Sequence, residues 1–298
     1  MPVTRWERWL PTAPGPQLFG ALRILLGAYL LVHFLYLVPH AEALFSNVGM
    51  VADASLNLSY GYFPNPLNVL DAPWMVQGFL LALAGGSLAV LLGRRPAWLL
   101  VLLWFGWACL LNRNVFIRNP SMPYVGWMLL MLTLVPRGEA FVPGRPVQAG
   151  WRMPRRLLVA LWALLAVGYT LSGLDKSASP SWQDGTALAH VLSNPLSRDH
   201  GLVRLLLSQP EVLRGMTWGA LALEIGFLPL ALHPRTRPFV WAAMVTMQVG
   251  ILLLVDFADL TLGMLVAHAF TLDPAWLPAP LRARIAPLSL EEPCPQPS

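Results

Sequence analysis

The sequence predicts an all-α fold: a polytopic integral membrane bundle of about eight transmembrane helices, with interfacial helices in its outer loop. Composition, run length and charge placement predict it. Of the 298 residues, 56% are hydrophobic and only 12% are charged, and the mean hydropathy is +0.57. That leaves too little polar surface to cover a water-soluble particle. Apolar runs recur at lengths near the roughly 20 residues (range about 17–25) that cross hydrocarbon. Basic residues vary in density from loop to loop, as they do in oriented membrane proteins.

The first run, Leu18 to Val38, follows Arg5 and Arg8, and Ala52-Asp53-Ala54 imitates a cleavage site. The run is too long for a signal peptide and that site too far downstream, so the run reads as a retained anchor. Trp74 to Leu92, Ala97 to Leu111, Leu157 to Leu174, Thr217 to Leu232 and Phe239 to Val255 read as further spans. Met122 to Val135 and Leu260 to Leu272 are short, as tilted partners, helices extended by polar turns or re-entrant segments would be. The outer loop from Ser172 to Met216 holds two amphipathic stretches split by Asn194-Pro195, which read as interfacial helices. Ser181 and Asp184 have capping-box spacing, so a helix is expected after Pro180, and Trp182 suits the membrane interface. Residues 1–277 form one transmembrane domain, and the proline-rich tail 278–298 is expected to be disordered and cytoplasmic.

Positive residues resist translocation, so the loops richest in arginine stay inside. With the N-terminus cytoplasmic, the inner segments hold Arg5, Arg8, Arg94, Arg95, Arg137, Arg145, Arg152, Arg155, Arg156, Arg235, Arg237, Arg282 and Arg284. The outer ones hold Arg113, Arg118, Lys176, Arg198, Arg204 and Arg214, and the loop from Pro39 to Pro73 has no lysine or arginine. Both termini are then cytoplasmic and Lys176 is extracytoplasmic. The net charge of +5 is scattered through short loops, so it reads as membrane orientation and no nucleic-acid partner is expected. Cys109 and Cys294 make no disulfide framework, and no metal is expected.

Ionisable groups within spans are expensive and normally face the protein interior or a watery cavity. At ~1.5 Å per residue, His33, Glu224 and Gln248 lie about 8–11 Å below the outer surface. Asp256 and Asp259 sit at the outer turn, His268 somewhat deeper, and Lys176 at the rim of the same half. These residues are expected to converge on one extracytoplasmic pocket. Arg23, near the inner boundary, is accounted for by snorkelling. Plainer roles stand beside these: a helix-to-helix hydrogen bond for Glu224 near His33 and packing for Gln248, solvated acids or caps for Asp256 and Asp259, and loop anchors on lipid phosphate for Arg113 and Arg118.

Lys176 is the only lysine among 20 basic residues. An interfacial lysine reaching for water is the plain account, but wherever a bare positive charge serves, this chain has arginine. A lysine amine, with a reference pKa of about 10.4, becomes a base near neutrality when desolvated, which a guanidinium cannot. Lys176 is thus a candidate general base.

The segment "SGLDKSASPSWQDG" resembles the G-x-x-K...W-x-x-G segment of the vitamin K-dependent gamma-carboxylases and their bacterial relatives, the horizontally transferred transmembrane (HTTM) proteins. Gly173, Lys176, Trp182 and Gly185 fall on that pattern, and Asp175 stands where the carboxylases tend to carry a second lysine. "ALRILLGAYLLVH", "ALFSNVGMV", "RNPSMPYVGWMLL", "EIGFLPLALHPRTRP" and "DFADLTLGMLVAHAFTLDPAW" are similar to other parts of the family core. The resemblance implies that Lys176 deprotonates a reduced quinone of the vitamin K hydroquinone type. On the enzyme reading Trp182, His33, Glu224, Gln248, Asp256, Asp259, His268 and Arg118 make up the pocket already placed by depth, and a thiol-redox partner protein that regenerates the cofactor is a further expectation. Pro120 stands near the place of a carboxylase histidine, and no large extracytoplasmic domain follows the last run, so peptide glutamate carboxylation is not expected. Two classes stay open: a quinol-dependent enzyme of the bilayer, and a non-catalytic membrane binding or assembly protein whose outer loop docks a partner.

Overall fold

The computed structural model describes residues 10–57 and 59–285, with backbone alone at 283–285. Arg5, Arg8, Cys294, the Arg284 side chain and the tail from 286 onward lie outside the described residues. Among the described residues the regular structure is helical. In chain order the helices are α1 (Pro16–Leu37), α2 (Ala41–Phe45), α3 (Pro73–Leu91), α4 (Ala97–Arg113), α5 (Met122–Leu134), α6 (Arg155–Ser177) and α7 (Pro180–Gln183). They continue with α8 (Ala187–Leu192), α9 (Gly201–Leu207), α10 (Pro210–Leu232), α11 (Arg237–Leu254), α12 (Ala258–Phe270) and α13 (Ala279–Ile285). Pro16–Phe45, α3, α6, α10 and α11 are long and apolar enough to cross a membrane, while α4, α5 and α12 are shorter apolar helices. Each of the eight expected apolar runs is therefore a helix, and the protein is a multi-pass membrane bundle. Prolines open α1, α3, α7, α10 and α11 within their first two positions. There the missing N–H breaks no intrahelical bond.

The chain divides into two compact units. One contains Asn119–Met128 and Leu158–Thr271, with the described residues before Thr12; the other contains Thr12–Arg118, Leu129–Leu157 and the described residues from Leu272 onward.

In the second unit α1 lies along α3, and Gly27 permits it: a Cβ there would meet the Leu91 backbone at 2.7–2.8 Å. Arg23 is fully buried. Its guanidinium donates to the carbonyls of Val90 (2.8 Å), Leu91 and Phe141 (2.9 Å) and lies 3.1 Å from Glu139. Arg95 grips the same carboxylate with two bonds of 2.8 and 2.9 Å, and donates to the carbonyls of Leu132, Val135 and Pro136. Burial raises the Glu139 carboxyl, but the Arg95 hydrogen bonds and the charges of Arg95 and Arg23 outweigh it, so the group is held below the ordinary glutamate range. Snorkelling is thus the wrong account of Arg23: its head is enclosed by carbonyls and a carboxylate and does not reach for water.

Arg113 corrects the lipid-anchor expectation in the same way. It is fully buried and donates to the carbonyls of Leu67, Val51, Ser46 and Ala52, tying those residues to the end of α4. A guanidinium has five donors in a fixed fork, so one side chain can satisfy several loop carbonyls that have no helix partner.

In the first unit, α7, α8 and α9 link α6 to α10, and Leu192, Val203, Leu213 and Val255 form a small core beneath them. The capping-box expectation fails here. Ser179 is the N-cap residue, without a side-chain cap, and Pro180 is the first helical residue. The Asp184 carboxylate instead accepts from the Thr186 hydroxyl (2.7 Å) and amide (2.9 Å), a local turn that competes with capping. Those two bonds hold Asp184 below the ordinary aspartate range. α10 also begins seven residues before the expected Thr217, because Pro210 and Glu211 make a good first turn and Leu213 is buried. In the tail expected to be disordered, 279–285 form α13, which packs on α1.

Candidate functional site

The end of α6 that leads into α7 has a physical cause at each position of G-x-x-K. A Cβ at Gly173 would lie 2.7 Å from the Ile225 amide nitrogen and 2.9 Å from Glu224 Cβ, so α6 and α10 cross closely at that glycine. Lys176, three residues on, shares that face of α6. Its Nζ donates to both Glu224 carboxylate oxygens at 2.6 Å. The lysine side chain is 30% exposed and the glutamate only 6%, so the pair is open on one side and closed on the other. The Trp182 ring centroid lies 5.1 Å from Nζ, where its negative face attracts the cation. Trp182 is held there because α7 is pinned to α10: Trp218 Nε1 donates to the Gln183 carbonyl at 3.1 Å. W-x-x-G ends on Gly185 at φ +83°, where a Cβ would be strained and would strike the Arg214 side chain.

One turn past Ile225, α10 carries an internal proline, Pro229. A proline there denies the Ile225 carbonyl its helical donor. Thr170 of α6 compensates: its hydroxyl lies 3.3 Å from both the Glu224 and Ile225 carbonyls and accepts from the Leu228 amide at 3.1 Å. Thr170→Val is expected to destabilise the fold by about 1–3 kcal/mol, the cost of buried polar groups left unbonded. A lowered thermal unfolding midpoint in detergent, with Thr170→Ser close to wild type, checks this.

Seven residues before Lys176, on the same face of α6, lies Tyr169. Its hydroxyl accepts from Gln248 Nε2 at 3.0 Å and contacts His268 Nε2 at 2.8 Å. All three side chains are buried. Gln248 Oε1 and His268 Nδ1 have no hydrogen-bond partner among the described residues.

Several of the residues expected to share a pocket meet within the first unit. Lys176, Glu224 and Trp182 come together, and Gln248 meets His268 through Tyr169. Asp259 accepts from Asn119 at 2.8 Å, and Asp256, exposed at the turn, lies 3.2 Å from Arg198. His33 and Arg118 belong to the other unit. There the His33 ring packs on Trp107 with centroids 4.8 Å apart, and Arg118 donates to the Leu111 carbonyl and to Asn112. Sequence reasoning missed Tyr169, Thr170 and Asn119. The i, i+4, i+7 spacing of Tyr169, Gly173 and Lys176 was the available signal for the first. Among the described residues no group of three or more His, Cys, Asp or Glu side chains is arranged to hold a metal ion.

The model of one family, the HTTM domain, matches residues 14–276. No curated protein and no solved structure matches the chain. The protein belongs to the HTTM domain family.

Proposed function

We propose that this HTTM-domain protein takes a reduced quinone, of the vitamin K hydroquinone type, from the bilayer and removes its phenolic proton at the Lys176–Glu224 pair. The arginine distribution is the support for an extracytoplasmic position of that pair. One observation carries the reading: the chain's single lysine, partly open to its surroundings, is bonded through both oxygens of a nearly buried carboxylate at 2.6 Å. The likeness of the lysine segment to the gamma-carboxylases supports it from a separate direction. Glutamate carboxylation of a peptide is not part of the proposal.

The amine is not bare, so the base is the pair. An ammonium has no lone pair, so lysine first passes a proton to Glu224 and its freed amine accepts the quinol proton. One O–H bond of the quinol breaks, and the pair ends with one more proton, held as N–H on lysine and O–H on Glu224. The product is a quinolate anion beside a site that has gained one positive charge. Trp182, stacked on the ammonium, is placed to cover a flat ring entering from the open side.

The test compares wild type with Lys176→Arg in nanodiscs under argon, with menaquinol as probe. Arginine keeps the charge and loses the proton chemistry. Wild type is expected to develop the quinolate absorption band near neutral pH, and Lys176→Arg to bind menaquinol without it. An equal band in both proteins would overturn the base assignment. A second reading, a binding or assembly protein, draws on the exposed Leu196, Leu202 and Leu205 around α9. On that reading deletion within the loop impairs function and Lys176→Arg does not.

A further inference from the structure

Between the end of α5 and the first turn of α6 the chain exposes Arg137, Arg145, Arg152 and Arg156. Arg137 and Arg145 differ from the other two: both line one cavity of about 310 Å3, with Gly93, Gly138, Glu139 and Gln148 also in its wall. The whole lining belongs to the second unit. Its frame is fixed by short contacts. The Gly138 carbonyl accepts from the Gln148 amide at 2.9 Å, which closes the loop on itself, and the Trp151 indole donates to the Pro136 carbonyl at 2.9 Å. A Cβ at Gly93, where φ is +80°, would lie 2.7 Å from the Val142 side chain, so the glycine lets this loop close against the end of α3.

The charges of the wall do not cancel. Glu139 is the one acid in the lining, and its carboxylate is already held by Arg95 and Arg23. Arg137 and Arg145 make no side-chain hydrogen bond or ion pair among the described residues. Arg23, Arg95 and Arg113 spend their donors on backbone carbonyls, whereas these two guanidiniums remain open over a shared space. A guanidinium fork matches the oxygens of a phosphate, so the ligand chemistry is a phosphate group. Its source is narrowed by the surroundings. Leu92 next to Gly93, Leu134 at the last position of α5 and Phe141 next to Val142 are exposed apolar side chains. The cavity lies just past the end of α3, a helix long and apolar enough to cross a membrane, at the level where hydrocarbon gives way to headgroups. Its volume is at the small end of the ~300–1,000 Å3 of ligand clefts, room for a headgroup whose acyl chains stay outside on the apolar rim.

We infer that this cavity binds the phosphate of an anionic phospholipid headgroup, with Arg137 and Arg145 as its clamp. The inference does not depend on the quinol reading, which concerns the other unit.

The experiment titrates the full-length, delipidated protein in detergent with phosphatidylglycerol and with phosphatidylcholine of the same acyl chains, and counts bound lipid by native mass spectrometry. Wild type is expected to bind phosphatidylglycerol about thirtyfold more tightly, which is ~2 kcal/mol for two arginines near an anionic headgroup. Arg137→Gln with Arg145→Gln is expected to abolish the preference. Arg152→Gln with Arg156→Gln removes the same charge outside the cavity and is expected to keep it. A large excess of inorganic phosphate is expected to leave the bound lipid in place; displacement would make the occupant a free phosphate and overturn the lipid assignment. Equal binding of the two lipids by wild type overturns the site, even where a variant fails to fold. A preference kept in the Arg137 and Arg145 variant, or lost equally in the Arg152 and Arg156 variant, overturns it as well, since the attraction then belongs to the basic surface at large.

Discussion

Glu139→Gln is expected to lower stability by about 3–5 kcal/mol, because removing one partner from a buried ion cluster leaves the other charges uncompensated. Glu139 answers both Arg23 and Arg95, and all three side chains are buried. The amide that replaces it keeps the shape and one acceptor but no charge. Arg23 and Arg95 also hold six carbonyls at the ends of α3 and α5 and in the following loop, so the loss spreads to that backbone. The pH dependence gives an independent check. A carboxyl held below its unfolded value of about 4.3 stabilises the fold above that pH and loses the contribution as pH falls through the lower, folded value. The wild-type thermal midpoint is therefore expected to drop on acidification below about pH 4. Glu139→Gln starts lower at neutral pH and is expected to lack that part of the drop. Equal neutral-pH midpoints for the two proteins would refute the cluster's structural role.

The fold class was legible because it depends on composition and run length, which tertiary contacts do not alter. Element ends were less so: the Pro210 start of α10 lies in a stretch whose apolar content alone reads as loop. The buried arginines mark a firmer limit. A lone arginine in an apolar run looks the same whether it snorkels or is caged, and the cage of Arg23 comes from carbonyls 67 to 118 residues away in the chain. In the site, depth along each helix put Lys176, Glu224, Gln248 and His268 at neighbouring levels, because rise per residue is fixed. Depth carries no azimuth, however. It could not show that Glu224 meets Lys176, a pairing that depends on the close crossing at Gly173. The G-x-x-K pattern was visible as letters; that its glycine exists to bring the carboxylate to the lysine required the second helix.

Replacing both members of the pair, Lys176→Met with Glu224→Leu, is expected to leave the protein folded and to abolish quinolate formation entirely. Either single change strands a charge. Because Lys176 is partly exposed, the cost is expected to be on the order of 2 kcal/mol, below the ~3–5 kcal/mol of a fully buried pair. The double change removes both charges and fills the space with apolar groups of similar size, which is often neutral for stability. A structural pair and a catalytic pair then give opposite results. If the pair only fastens α6 to α10, the double variant matches wild type in every assay. If it handles the proton, the double variant has wild-type thermal stability, still binds menaquinol, and shows no quinolate band at any pH between about 6 and 9, short of the phenol's own ionisation range near pH 10. A persistent band in a well-folded double variant would remove the pair from the chemistry and leave Lys176 as a clasp between two helices.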